Sequence, residues 1–239
     1  MELDYKRILL KLSGEALSED KTTIISKTKL NHFVNEIIAA RDLGIEVIVV
    51  IGGGNIMRGA NCSDYNLTRY KADNLGMLAT VMNAIVLEDT LSQRGIPSVV
   101  LSAIEMNKIC EFYTAQKANE YLSEGRVVIC GGGIANPYFS TDTGTVVRAL
   151  ETGCDAVFKG TQVDGIYSDD PKINKNAIRH VSISYDEVII GELKVMDASS
   201  ILLAKKGKDK GLPIIVFNIH NEGSFRDVLK HKEKRSIIN

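Results

Sequence analysis

Two basic residues stand beside glycine-rich turns, where their side chains could hold a phosphate group. Lys11 precedes the turn Ser13-Gly14, and Arg58 closely follows the three glycines Gly52–Gly54. A lysine at such a turn can neutralise a phosphate oxygen, and an arginine can clasp an anion through two N–H groups. Taken alone, each residue could equally be a solvated cation on the surface.

Two carboxylates are the other candidates for chemistry. Asp142, with its neighbour Thr141, could cap a helix, orient a lysine or lie beside metal-bound phosphates. Asp73 falls within a long predicted helix, where it could accept hydrogen bonds from a sugar or a base, or simply face solvent. Lys11, Arg58 and Asp142 are the predicted catalytic residues, and the chemistry that suits them is phosphoryl transfer, which depends on positioning and on neutralising charge.

Two apolar segments run directly into triplets of glycine. Ile45–Ile51 leads into Gly52–Gly54, and Val127–Cys130 leads into Gly131–Gly133. Continuous β-branched segments of this length are typical of strands buried on both faces of a parallel sheet. Glycines at the carboxyl end of such a strand expose backbone N–H groups that can surround an anion, at the edge where ligands of open α/β sheets bind. The alternative is a flexible strand-to-helix turn.

The common phosphate-binding motifs are absent from the sequence. No P-loop motif occurs, and neither glycine triplet extends to GxGxxG, because Met57 and Asn136 stand at the third-glycine positions. Any phosphate must therefore be held in another way.

Predicted strands and helices alternate along the chain. The predicted strands are Lys6–Leu12, Ile45–Ile51, Pro97–Leu101, Arg126–Cys130, Asp155–Lys159 and Pro213–Phe217. The predicted helices run from Ser26 to Gly44, Thr68 to Arg94, Tyr113 to Ser123, Thr141 or Asp142 to Glu151, Tyr185 to Gly191, Ala198 to Lys206 and Ser224 to Leu229. This alternation predicts an α/β fold with a mostly parallel central sheet between helical layers, in a single domain over residues 1–239.

Composition argues against several classes of protein. The 239 residues are 44% hydrophobic and 25% charged, and the net charge of −1 gives no basic excess for binding nucleic acid. The four cysteines form no CxxC pair and the histidines show no HxxxH spacing, which favours a reducing compartment over a zinc or histidine metal site. The first residues lack the positive start and long apolar stretch of a signal peptide, and no apolar segment approaches ~18 residues, so we expect a cytoplasmic protein without a membrane span.

Several motifs resemble those of bacterial uridylate (UMP) kinases, a branch of the amino acid kinase family. Lys-Leu-Ser-Gly at 11–14 and Gly-Gly-Gly-Asn at 52–55 are typical of the wider family. Gly-Met-Leu-Ala-Thr-Val-Met-Asn at 76–83 and Asn-Pro-Tyr-Phe-Ser-Thr-Asp at 136–142 are much narrower and are similar to the UMP kinase branch. The resemblance runs in register from Tyr5 to about Ile238.

The resemblance implies transfer of the ATP γ-phosphate to UMP, giving UDP and ADP, with Mg²⁺ accompanying ATP, in pyrimidine nucleotide synthesis. It implies that ATP contacts Lys11, Leu12, Ser13, Gly14, Gly54, Arg58, Thr161, Gln162, Tyr167 and Asp170. It implies that UMP contacts Gly53, Asp73, Ile134, Ala135, Asn136, Pro137, Tyr138, Phe139, Ser140 and Thr141. Residues 1–150 would then form mainly the UMP and phosphate sites, and residues 151–239 mainly the ATP site.

The family also implies regulation and assembly, with two departures in this sequence. Family members are homohexamers that UTP commonly inhibits, so we expect self-association and inhibition by UTP. The segment Glu19–Ile24 lacks the glycines of a loop tied to activation by GTP, and Gly132-Gly133-Ile134-Ala135 stands where Ala-Gly-Thr-Gly is common. Activation by GTP is therefore not expected, and the roles of Lys159, Lys194 and Asp197 stay open.

Two other functions remain alternatives at this point. One is a different amino acid kinase, acting on a carboxylate or carbamate. The other is a protein of the same fold that binds a nucleotide or an oxyanion without catalysis. Retention of Lys11, Arg58 and Asp142 together favours an enzyme.

Overall fold

A mostly parallel β-sheet forms the centre of the molecule. The computed structural model describes residues 3–20, 22–57 and 66–239. Its strands are β1 (Arg7–Leu12), β2 (Glu46–Ile51), β3 (Ser98–Ser102), β4 (Glu111–Phe112), β5 (Val127–Gly131), β6 (Ala156–Thr161), β7 (Ile166–Tyr167), β8 (Arg179–His180), β9 (Ser182–Ile183), β10 (Ile214–Asn218) and β11 (Ser236–Ile238). Within the described residues, nine of them form one sheet in the order β4-β3-β5-β2-β1-β6-β10-β11-β9, while β7 and β8 form a separate antiparallel pair.

Helices cover both faces of this sheet, as the alternating pattern predicts. They are α1 (Lys27–Arg41), α2 (Arg69–Gln93), α3 (Ala115–Ser123), α4 (Thr141–Glu151), α5 (Tyr185–Ile190), α6 (Ala198–Lys206) and α7 (Ser224–Leu229). Buried residues of α1, α2 and α7 pack on one face of the sheet, and those of α3, α4, α5 and α6 pack on the other. The predicted fold class, a parallel sheet between helical layers, is confirmed.

The buried strands explain why the sequence shows continuous apolar segments. Along β1, Ile8, Leu10 and Leu12 belong to the core on one face, and Leu9 belongs to the core on the other. All four are fully buried. Since successive side chains of a strand point to opposite faces, a sheet covered on both sides requires apolar residues at every position.

The short strands were not predicted. β4, β7, β8 and β9 have two residues each and β11 has three, which is too short for a periodic pattern. β11 pairs antiparallel with β10, whereas the other pairs in the main sheet of the described chain are parallel. The end of the chain therefore lies inside the sheet, between β10 and the edge strand β9.

Helix α2 has 25 residues and is the longest of the described helices. Among the described residues, it is the one helix long and apolar enough to cross a membrane by length and composition. No segment of this kind was expected from the sequence. It packs against β3 and β5, and its residues Ala84, Leu87 and Leu91 are fully buried in the core. A core helix of this kind meets the same criteria of length and composition.

The strand order of the sheet changes direction at β1, because the strands before β6 in the chain lie on one side of β1 and the next strands lie on the other. From β1 the first half of the chain adds β2, β5, β3 and β4 on one side, and the second half adds β6 and β10 on the other. Such a reversal opens a crevice at the carboxyl ends of the strands, where ligands of open α/β sheets bind. Lys11 on β1 lies directly opposite Lys159 on β6 at this point.

Candidate active site

Three charged residues meet in the crevice between β1 and β6, and we call them the charge cluster: Lys11, Asp142 and Lys159. Lys11 Nζ lies 2.9 Å from Asp142 Oδ1, and Lys159 Nζ lies 2.9 Å from Asp142 Oδ2. The three side chains are only 13%, 16% and 12% exposed, in the order Lys11, Asp142, Lys159. One carboxylate thus holds two ammonium groups from neighbouring strands, leaving one net positive charge at the sheet edge.

The electrostatics of the cluster follow from this burial. Burial alone would raise the pKa of Asp142, but the charges of Lys11 and Lys159 outweigh it and hold that pKa below its usual value. Burial and the neighbouring charge of Lys11 lower the pKa of Lys159, and the contact with Asp142 opposes them. The cluster therefore keeps its carboxylate ionised and can offer positive charge to a phosphate group.

The first turn of α4 sets the position of Asp142. The sequence predicted that Thr141 or Asp142 caps this helix, which is wrong: the N-cap is Ser140, whose Oγ accepts a hydrogen bond from the backbone N–H of Thr143 at 3.1 Å. Because Ser140 satisfies the cap, the carboxylate of Asp142 is left to pair with the two lysines. The structure thus shows Asp142 paired with two lysines, in keeping with the interpretation in which it orients a lysine.

Asp197 links this helix start to a second one, and the sequence left its role open. Its carboxylate caps α6 by accepting from Ser200 N at 2.9 Å, and it also accepts hydrogen bonds from the hydroxyls of Ser140 and Thr143. Two residues earlier, the carbonyl of Val195 accepts from Lys159 Nζ. The segment from Val195 to Asp197 therefore anchors both Lys159 and the helix start that carries Asp142.

The turn after β1 and the first glycine triplet are in direct contact. A Cβ atom on Gly14 would lie 2.3 Å from the carbonyl oxygen of Gly52, and one on Gly53 would lie 2.7 Å from the Cβ of Ala79 on α2. Asn83 Nδ2 also donates to Gly52 O at 2.7 Å. These glycines are therefore required for close packing of the two turns and the helix, in addition to any role with an anion.

Backbone groups of the second glycine triplet are hydrogen-bonded to side chains of α2 and α4. Gly132 and Gly133 have φ values of +76° and +59°, which favour glycine. The N–H of Gly132 donates to Thr80 Oγ1 at 2.8 Å, and the buried Arg148 donates to Gly133 O at 3.1 Å. Since Gly132 N already has a partner, not every N–H of this triplet is free to bind an anion.

A cavity of about 660 Å³ opens beside these turns, and we call it the acceptor cavity. Its described lining comes from the first glycine triplet, the start of α2, the second triplet and the start of α4. The lining residues are Gly53, Gly54, Met57, Leu67, Arg69, Ala72, Asp73, Gly76, Met77, Thr80, Gly133, Phe139, Ser140 and Thr141. Its size and mixed polar and apolar wall suit a small organic ligand.

Arg69 and Asp73 line this cavity and both contact Tyr138, and we call these three residues the acceptor clasp. Asp73 accepts from Arg69 Nε at 2.9 Å and from the backbone N–H of Tyr138 at 2.8 Å. The Arg69 guanidinium lies 5.7 Å from the centre of the Tyr138 ring. Tyr138 itself has a φ of +72°, so the segment that follows the second triplet is bent sharply towards α2.

The other predicted residues fall on both sides of the charge cluster. Gly53, Asp73, Phe139, Ser140 and Thr141 line the acceptor cavity, and Gly54 lies there too although it was predicted on the ATP side. Ile134, Ala135, Asn136 and Pro137 precede Tyr138 in the same segment but are not among the described lining residues. Leu12, Ser13 and Gly14 adjoin Lys11 at the end of β1.

The predicted ATP-site residues near the carboxyl end of β6 are Thr161, Gln162 and Asp170. Tyr167 lies on β7, where its hydroxyl donates to Asp164 Oδ1 at 2.6 Å. Thr161 ends β6 and donates to Val163 O at 2.7 Å. Lys172 Nζ donates to Gln162 Oε1 at 3.2 Å, and Lys172 N donates to Asp170 Oδ1 at 2.9 Å. These polar groups form a second patch, on the opposite side of the charge cluster in strand order from the acceptor cavity.

Some residues lie beyond these observations or were missed. The predicted catalytic residue Arg58 lies outside the described residues. The sequence left the role of Lys159 open and did not place it in the site, although, like Lys11, it is a lysine near the carboxyl end of an apolar strand. Arg69 was also missed, because an arginine in a polar first turn of a helix has no distinguishing pattern. Lys194 is exposed.

The fold and the charge cluster define a class of protein: an α/β sandwich without a P-loop motif, in which two lysines and a carboxylate meet at a sheet edge. A sequence profile described as "Amino acid kinase family" matches residues 6–218, and the chain belongs to this family.

Individual relatives carry a narrower name. The chain is 47% identical to a uridylate kinase of Mesorhizobium japonicum over 234 residues, which is 98% of this chain and 96% of that relative. Its fold matches the crystal structure of UMP kinase from Bacillus anthracis with a TM-score of 0.94 at 38% identity, covering 98% of this chain and 96% of that one. UMP kinase from Ureaplasma parvum matches with a TM-score of 0.93 at 34% identity, covering 98% of each chain. The predicted family resemblance is thereby confirmed.

Proposed function

We propose that this protein is a uridylate kinase, which transfers the γ-phosphate of ATP to UMP and releases UDP and ADP in pyrimidine nucleotide synthesis. The observation that carries the proposal is the position of the charge cluster. Lys11, Asp142 and Lys159 lie between a cavity with a carboxylate in its wall and the polar patch at the end of β6. This arrangement suits two nucleotides that meet end to end over the cluster.

The residues have distinct roles in this reaction. UMP occupies the acceptor cavity, with its sugar towards Asp73 and its phosphate towards Gly53. ATP lies along the turn after β1, with its adenosine end near Thr161 and Tyr167. Lys11 and Lys159 offset the negative charge that builds up on the transferred group, and Asp142 fixes their separation, because phosphoryl transfer is catalysed mainly by positioning and by neutralising charge.

Mg²⁺ fits this site as an ion that arrives with ATP. Within the described residues, no group of three or more His, Cys, Asp and Glu side chains could hold a metal ion by itself. Asp142, the carboxylate of the charge cluster, is already paired with two lysines. Mg²⁺ usually takes one or two carboxylates together with substrate phosphates, so the phosphates would be its main ligands here. The ion would supply further neutralisation of phosphate charge.

The proposal includes the assembly, inhibition and location that the family resemblance implies. Leu78 and Met82 are 43% and 54% exposed on α2, which supports self-association, for which we propose a homohexamer. UTP inhibits by competing for the uridine contacts of the acceptor cavity. Residues 1–150 supply mainly the UMP and phosphate sites and residues 151–239 mainly the ATP site, in a single domain and in the cytoplasm.

An acceptor assay tests the function directly. ADP release would be followed with ATP, Mg²⁺ and one acceptor at a time: UMP, CMP, acetylglutamate or carbamate. We expect turnover with UMP to exceed that with every other acceptor. Faster turnover with acetylglutamate or carbamate would assign the chain to another branch of the family. ATP binding without turnover on any acceptor would indicate a non-catalytic nucleotide-binding protein.

A further inference from the structure

The carboxylate in the wall of the acceptor cavity presents an electrostatic problem for a ligand that carries a phosphate group. Among its described lining residues, Asp73 and Arg69 are the charged ones. An acceptor nucleotide brings a phosphate group with nearly two negative charges into a cavity that already holds the Asp73 carboxylate. Like charges in a partly enclosed cavity repel each other more than they would in bulk water, because the protein wall screens them less than water does.

The geometry of Arg69 addresses this problem. Its Nε lies 2.9 Å from both oxygens of Asp73, four residues later on the same face of α2. The Asp73 side chain is 23% exposed and that of Arg69 is 66% exposed, so the cation covers the carboxylate from the solvent side. The backbone N–H of Tyr138 binds one oxygen of Asp73 at 2.8 Å and fixes its orientation.

This arrangement leaves Asp73 able to bind a ligand. An ionised carboxylate has about four acceptor sites, and the contacts from Arg69 and Tyr138 leave room for one hydroxyl donor. Asp73 can therefore accept a hydrogen bond from a sugar hydroxyl while its charge is balanced. An unpaired carboxylate would make the same hydrogen bond but would repel the phosphate of the same ligand.

We propose that Arg69 is a positioning residue that lets the cavity accept a phosphorylated nucleoside, because it neutralises Asp73 and keeps its carboxylate directed at the sugar. This inference rests on the proposed function, since it takes UMP as the acceptor. It assigns Arg69 an effect on the affinity for the acceptor and none on the phosphoryl-transfer step. The effect depends on the phosphate of the ligand and on the charge of Asp73.

The test is a double-mutant cycle with Arg69→Gln, Asp73→Asn and the double variant. Asparagine at position 73 keeps an oxygen for the Tyr138 N–H but carries no charge. Lys71→Gln is the matched control: Lys71 is an exposed cation on the same turn of α2 and is not among the cavity-lining residues. For each protein we would measure kcat, KM for UMP, KM for ATP and the thermal midpoint of unfolding. We would also measure the inhibition constants of a UMP analogue that carries a phosphate and of uridine, which carries none.

We expect Arg69→Gln to raise KM for UMP by at least about fivefold, at the lower end of couplings between interacting sites. In Arg69→Gln we expect kcat, KM for ATP and the thermal midpoint to stay near their wild-type values. The affinity of this variant for uridine should change less than its affinity for UMP. Lys71→Gln should behave as the wild type. In the Asp73→Asn background, removal of Arg69 should have no further effect.

Three results would overturn the inference. An unchanged KM for UMP in Arg69→Gln would remove the role, and equal losses for uridine and UMP would show that charge balance is not the cause. An equal loss with and without the Asp73 charge would mean that the guanidinium acts on the ligand independently of Asp73. Failure of the proposed function is distinguishable, because the wild-type protein would then not release ADP with UMP in the first place.

Discussion

The charge cluster and the acceptor clasp both hold a carboxylate with a cation, but they do so in opposite ways. Asp142 is 16% exposed and lies between lysines from two neighbouring strands, so its position is set by the sheet and by a helix start. Asp73 pairs with Arg69, which is 66% exposed and lies on the same helix. The first arrangement is rigid and buried, and the second can open without disturbing the core.

This difference suggests that the charge cluster serves the phosphoryl-transfer step and the acceptor clasp serves the binding of UMP. Buried, paired charges keep fixed distances, which is what the stabilisation of a transition state requires. An exposed ion pair on one helix contributes little to stability and can rearrange when a ligand enters. We therefore expect changes in the charge cluster to affect kcat, and changes in the acceptor clasp to affect KM for UMP.

The largest effect should come from Lys11→Ala. The transferred phosphate would lose the positively charged partner that the Lys11 ammonium group provides. Removal of one such electrostatic contact typically costs about 10²–10³-fold in kcat. Single-turnover kinetics with saturating ATP and UMP would measure it, with a thermal melt as control for folding. Near-normal turnover in the variant would show that the cluster has no catalytic role.

A smaller loss in kcat is expected for Asp197→Ala, which removes the acceptor shared by Ser140, Thr143 and Ser200. The helix start that carries Asp142 would lose its anchor, and misplacement of catalytic groups by 1 Å can cost about 10²-fold. Loss of the α6 cap should also destabilise the protein by ~1 kcal/mol.

The matched control for this position is Asp197→Asn, which keeps an oxygen able to accept hydrogen bonds. Its kcat should lie between those of the wild type and the alanine variant. If both variants turned over at the wild-type rate, the link between the two helix starts would have no consequence for catalysis.

In the acceptor clasp, Asp73→Asn should weaken UMP binding more than ATP binding. A neutral amide accepts a weaker hydrogen bond from a sugar hydroxyl than a carboxylate does, and hydrogen bonds to charged groups are worth roughly 1.5–3 kcal/mol. We expect KM for UMP to rise by about tenfold or more, with kcat close to wild type. Isothermal titrations with each nucleotide would show equal losses if the assignment of Asp73 to UMP is wrong.

The pH dependence of stability tests the pairing of Asp142 in the charge cluster. Because the pKa of Asp142 is lowered from 3.8 in the folded state, its pairing contributes stability that is complete above pH 3.8 and is lost as the pH falls through the lowered pKa. The free energy of unfolding should therefore decline less steeply below pH 3.8 in Asp142→Asn than in the wild type. Parallel acid limbs of the two proteins in urea titrations would contradict this.

The smallest expected effect is that of GTP. Asp20 in the segment Glu19–Ile24 already accepts hydrogen bonds from Thr22 and Thr23, and these bonds lower its pKa to about 2. The segment thus carries a persistent negative charge and lacks glycine, so we expect little or no activation. Initial rates against GTP at subsaturating ATP and UMP would test this, and a saturable increase would locate an effector site elsewhere.

The sequence was sufficient for the long elements and insufficient for the contacts between them. Segments such as Ile45–Ile51 predict buried strands because their apolar pattern is continuous, and Lys11 was found because it stands beside a small-residue turn. The pairing of Lys11 with Lys159 depends on the register of β1 against β6, which no local pattern encodes. The cap of α4 was misassigned because Ser140, Thr141 and Asp142 are all good capping residues in succession.

The contact between Gly14 and Gly52 has a consequence for how this protein can vary. The turn after β1 and the first glycine triplet are so close that only a hydrogen atom fits on the Gly14 Cα between them. A methyl group on Gly14 would lie 2.3 Å from the Gly52 carbonyl oxygen. If each turn holds one nucleotide phosphate, this spacing sets how far apart the two phosphates lie before reaction. A substitution at Gly14 would then act as a change of reaction distance, and substitutions elsewhere on the surface could not compensate for it.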